Sequence, residues 1–107
     1  MNISMLHSST RQQASTEAPV SSQTRDKVVA SEHAAVEAER ALNEAEAALK
    51  KLLVRHASAD MTQEEKLQAK MEVEFAGDIV AAHRGLAFAK RRAASQAALG
   101  AISSLLV

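Results

Sequence analysis

Apolar positions recur with helical spacing over two long stretches. Val28, Ala35, Leu42 and Leu49 follow one another every seven residues, and Ser31, Ala38, Ala45 and Leu52 each lie three residues later. That is the a/d pattern of a helix offering one seam to a partner helix. Most of the second set are small, so two helix axes can approach more closely than leucines would allow. Thr24 or Ser22 is the expected N-cap, with Asp26 in the first turn. The pattern breaks at RHASADMT, residues 55–62. There Thr62 and Glu65, in TQEE, have the spacing of a capping box, and Met61 sits where it can staple onto the first turn. No proline interrupts the second stretch, which would run roughly 65 Å at 1.5 Å per residue if unbroken to about Ser104. Gly77 and Gly85 are the places where it could bend. The expected elements are a helix over 25–56, a turn over 57–61 and a helix over 62–105.

The second helix has two apolar faces. At 100° per residue, Leu67, Met71, Phe75, Ile79, Ala82, Leu86, Ala89, Ala93 and Ala97 share one third of its circumference. This is the expected inner face, so the predicted seam pairs Val28, Ala35, Leu42, Leu49 and Leu52 with Leu67, Met71, Phe75, Ile79 and Leu86. Val73, Val80, Phe88, Leu99, Ile102 and Leu106 fall roughly opposite. With the turn centred near Ala59, Leu52 lies near Lys66, Leu42 near Ala76 and Val28 near Lys90. Everything after about Ala93 then overhangs. That end, AASQAALGAISSLLV, carries no charge, and each of its large aliphatic side chains would gain roughly 1.5–3 kcal/mol if fully buried. The expected partner interface is therefore Val73, Val80, Phe88, Leu99, Ile102, Leu105, Leu106 and Val107. Gly77, Ala81, Gly85, Ala89, Ala93, Ala97 and Ala101 form a further row of small residues suited to close helix approach.

Charge sets the direction of pairing. From Asp26 to Glu46 six acids face two bases, whereas Lys50 to Arg55 is purely basic. The second helix repeats this, with six acids and two bases from Asp60 to Asp78 and then only Arg84, Lys90, Arg91 and Arg92. Each half suits its own helix dipole. Antiparallel pairing places each acidic half beside the other helix's basic half. The predicted fold is all-α, an antiparallel, coiled-coil-like two-helix hairpin.

Composition narrows the class further. The chain has 107 residues, two Phe, no Trp, no Tyr, three Gly and one Pro, which suits a thin helical seam better than a thick core. Thirteen basic and thirteen acidic residues cancel, giving no electrostatic reason to expect nucleic acid. The absence of cysteine excludes disulfides and thiolate chemistry. The apolar end is shorter than the roughly 20 residues needed to span a bilayer. Residues 1–24 are half Ser, Thr and Gln and are expected to be a disordered arm, with residues 25–107 forming the hairpin.

No catalytic constellation emerges. His33 and Glu37 are spaced i, i+4 and His83 could approach them, but zinc requires three or four ligands with an ordered second shell. His7 lies in the arm, and His56 suits the end of the first helix. Glu72, Glu74 and Asp78 read as a solvated acidic face, with no nucleophile converging on them. Lys90, Arg91 and Arg92 point in three directions around the helix. The expectation is a protein that is not an enzyme and uses no cofactor or metal.

A Ser/Thr-rich arm, two helices around a short loop and an uncharged apolar C-terminus together resemble the small helical components of bacterial type III secretion systems: needle and inner-rod subunits and the hairpin cochaperones of needle subunits. The stretch EEKLQAKMEVEF onward is similar to the C-terminal helix of rod and needle proteins, with Leu67 and Gln68 matching their Leu-Gln near the helix start. The resemblance implies a structural or chaperone-type component, in the bacterial cytoplasm or exported. It further implies that the C-terminal helix packs into an assembly and the N-terminus assists export. The alternatives are a free-standing coiled-coil homodimer or adaptor, or a small secreted effector. All of these expect protein partners through the C-terminal helix, in a homo- or hetero-oligomer.

Overall fold

The computed structural model describes residues 21–58 and 60–106 of the chain. It contains two α-helices, α1 (Ser22–Ser58) and α2 (Gln63–Leu106), which pack along one another as a hairpin. Among the described residues there are no strands. Residues 1–20 of the expected arm, and Val107, lie outside them.

Both helix starts are fixed by side chains. The backbone N–H of Thr24 donates to Ser21 Oγ at 3.1 Å, and Arg25 N–H donates to the Ser21 carbonyl at 3.0 Å. Ser21 is thus the cap, and α1 begins three residues before the expected Arg25. At α2 the capping box is complete. Thr62 N–H donates to Glu65 Oε1 at 2.9 Å, and Glu65 N–H donates to Thr62 Oγ1 at 3.2 Å. α2 runs unbroken for 44 residues through Gly77 and Gly85.

The seam on α1 is the expected one: Ala35 and Ala38 are buried, and Val28, Ser31, Leu42, Ala45, Leu49 and Leu52 are half-buried. The seam on α2 is not. Ala69, Val80, Ala87 and Ala94 are buried, with Val73, Ala76, His83 and Ala101 half-buried in the same row. Their spacing alternates four and three residues over most of this length, a heptad seam of small side chains. Leu67, Met71, Phe75, Ile79 and Leu86, predicted to face α1, are exposed instead; Leu67 is 59 % and Phe75 67 % accessible. Among the described residues no side chain larger than valine is buried.

The expected overhang is also shortened. Arg91 pairs with Glu32; Ser22 lies ten residues before Glu32, and ten residues beyond Arg91 is Ala101. With equal rise on two antiparallel helices, that pair sets Ser22 level with about Ala101, and the Arg91–Glu39 and Arg84–Glu46 pairs set it level with the end of α2. Helix α1 therefore accompanies α2 at least to about Ala101, which agrees with the burial of Ala94. At most the last turn and a half of α2 extends past α1.

Candidate functional site

The two edges of the hairpin differ in kind. Glu32, Glu39 and Glu46 each follow a seam residue of α1 and recur every seven residues, as do Arg84 and Arg91 on α2. They meet along one edge. Arg84 lies 3.4 Å from Glu46; Arg91 lies 2.7 Å from Glu32 and 2.8 Å from Glu39. The guanidinium hydrogen bonds hold the Glu39 carboxyl below the usual carboxylate range. The same two glutamates raise the pKa of Arg91 above its ordinary value, so it stays charged.

Along the middle of the other edge the residues are apolar. Ala34, Ala41 and Ala48 precede seam residues of α1, and Ile79, Leu86 and Ala93 occupy the matching positions of α2. Nearer the loop this hairpin is tied by His56 Nε2, 3.1 Å from Glu72 Oε1.

From the apolar edge outward, α2 presents Phe75, Ile79, Ala82, Leu86, Ala89 and Ala93. All six are exposed. Their spacing of four, three, four, three and four is a second heptad row, turned away from the one that grips α1. A further apolar row lies beyond the charged edge, near the C-terminus: Phe88, Leu99, Ile102 and Leu106, with Leu106 82 % accessible. Leu105 is exposed as well. Two members of the expected partner interface are corrected here: Val80 is only 4 % accessible and Val73 is half-buried, both in the seam with α1. They fall inward because the row of small residues, not the row of large ones, packs against α1.

Among the described residues no group of three or more His, Cys, Asp or Glu is placed to hold a metal. His33 and Glu37 are exposed, whereas His83 is turned into the seam. Glu74 and Asp78 are exposed, and Glu72 is engaged by His56. No helix among the described residues is long and apolar enough to cross a membrane. The arrangement offers apolar helix faces with charged margins. The chain matches no protein-family model, and neither the curated proteins nor the solved structures include a significant match to it.

Proposed function

We propose that this chain is a non-enzymatic assembly component, a hairpin that joins other helices through the outward apolar rows of α2. One observation carries the reading. Most of the large apolar side chains of α2, Phe75, Leu86, Phe88 and Leu99 among them, lie outside the hairpin, while the side chains buried in its seam are alanines and Val80. A helix that buries only small residues against its partner and leaves its large ones exposed has its greater potential burial still to make. The setting is a type III protein secretion apparatus, with the chain as structural subunit or cochaperone. Its support is the resemblance in architecture, a capped two-helix hairpin ending on an uncharged apolar segment.

The test separates surface from setting. Replacing Ile79, Leu86 and Leu99 together by Gln should leave helicity by circular dichroism unchanged and abolish association measured by light scattering or with the purified partner. Unchanged association would overturn the surface. The setting is tested by immunoblot of culture supernatant and cells with and without a working secretion apparatus, where an unaltered distribution and no complex with apparatus proteins would overturn it.

A further inference from the structure

We propose that a second copy of this chain covers the outward row of α2, with the two α2 helices antiparallel about a two-fold axis level with Arg84. The inference rests on the assembly reading above and names its partner. Size is the first argument. In the row Phe75, Ile79, Ala82, Leu86, Ala89, Ala93, large residues crowd one end and small ones the other. Reversed against itself about that axis, Phe75 meets the partner's Ala93, Ile79 meets the partner's Ala89, and Leu86 meets the partner's Ala82. Every layer then joins one large and one small side chain, which fills space evenly. A parallel pair would set Phe75 on its own copy and leave the alanine layers hollow.

Charge is the second argument, and it comes from different residues. Met71, Asp78, Gly85, Arg92 and Leu99 lie every seven residues along the margin of the row that faces away from α1. The row reads apolar, acid, glycine, base, apolar. About the same axis, Asp78 falls beside the partner's Arg92 and Met71 beside the partner's Leu99, each offset by about half a turn along the helix. Among the described residues neither Asp78 nor Arg92 has an ion pair, and both are exposed. Gly85 lies near the axis, where a Cβ meets nothing within 4 Å in the single hairpin and two backbones can approach. On the opposite margin Ala34, Ala41 and Ala48 leave room for the incoming helix. The product is a four-helix bundle with an isologous interface.

The full chain has no cysteine, so paired thiols can be introduced cleanly. An equal mixture of Ile79→Cys and Ala89→Cys chains, treated with a short bismaleimide, should give mainly the mixed product, with little self-linking of either variant alone. Separately, Asp78→Arg and Arg92→Asp should each weaken the dimer about tenfold or more by analytical ultracentrifugation, and the double exchange should restore it. Predominant self-linking would show a parallel pair and overturn the proposal, as would failure of the double exchange to restore the dimer. A monomer at high micromolar concentration also overturns it, and the rate of thiol labelling at position 79 then decides the wider reading. Rapid labelling leaves the row free for another protein, whereas strong protection shows that the chain covers it itself and removes both inferences.

Discussion

Arg91 holds two glutamates of α1 one heptad apart. Its Nε and one terminal nitrogen donate to both carboxylate oxygens of Glu39, at 2.9 and 2.8 Å, and its other terminal nitrogen donates to Glu32 at 2.7 Å. A guanidinium can make this two-sided contact because its donors form a rigid planar fork. The clamp fixes the register of the helices and their rotation together. With Arg84 and Arg91 on this edge, the row of Val80 and Ala87 must face α1.

Arg91→Lys should therefore destabilise the hairpin nearly as much as Arg91→Gln, since a single ammonium cannot serve both carboxylates. The loss should shrink in high salt, because the groups are partly exposed and screened. Thermal melts of the three chains at low and high ionic strength check this. Equal stability of the lysine variant and the parent would refute the fork.

Acid should act through the same contact. The Glu39 carboxyl is held below its ordinary range by the Arg91 hydrogen bonds, so its contribution is present above the unfolded value of about 4.3 and is lost as pH falls through the lower folded value. Glu39→Gln should flatten the fall in stability over that acidic window and leave the slope above pH 6 unchanged. Urea melts from neutral to acidic pH measure both slopes.

That clamp also marks what could be read from the chain and what could not. The seam of α1 was legible because Val28, Leu42, Leu49 and Leu52 outweigh every other row on that helix. The capping box was legible because Thr62 and Glu65 satisfy each other locally, whatever packs nearby. The rotation of α2 was not, because this helix carries two heptad rows and the one with the larger side chains attracts the inward assignment. Hydrophobicity ranks faces by size, but α1 offers mostly small residues at every second seam position and closes best on another small row. Its resolving signal lay in charge: Glu32, Glu39 and Glu46 recur every seven residues beside the α1 seam, and only one rotation of α2 brings Arg84 and Arg91 to them. Opposite halves of charge indicate direction, whereas heptad rows of charge indicate the face.

Close packing of the small seam makes size the sensitive variable. Ala35 is fully buried and Ala87 nearly so, so Ala35→Leu or Ala87→Leu should force the axes apart at a cost of about 1–3 kcal/mol, despite the added apolar surface. Val80→Ala should cost about 2 kcal/mol by the opposite route, lost burial and a residual void. Leu67→Ala, on the exposed face, should change the stability of the isolated hairpin by less than about 0.5 kcal/mol. Urea unfolding of these variants at low protein concentration decides it, and a larger loss at Leu67 than at Val80 would reverse the assignment of faces.

Gly77 should be replaceable with gain. It lies mid-helix, its φ is ordinary, and a Cβ built there meets no atom within 4 Å. Gly77→Ala should then stabilise the hairpin by about 0.5–1 kcal/mol through helix propensity alone. A rise in melting temperature with unchanged helical signal is the expected result; a fall would mean that another helix approaches the backbone at this point.

The end of α2 should divide into a part needed for folding and a part that is not. Ile102, Leu105 and Leu106 are exposed, whereas Ala94, Ala97, Ala98 and Ala101 are buried or half-buried. Deleting residues 102–107 removes no buried side chain among the described residues, so the hairpin should keep its helicity and most of its melting temperature. Ending the chain at Ala93 instead removes the buried Ala94 and the half-buried Ala97, Ala98 and Ala101, and strips the first turns of α1 of their partner. That chain should melt markedly lower and fray at its N-terminal end, read by amide exchange over residues 22–32. If both truncations melt alike, the tail is not held by α1, and the shortened overhang gives way to the longer one that the loop position alone implies.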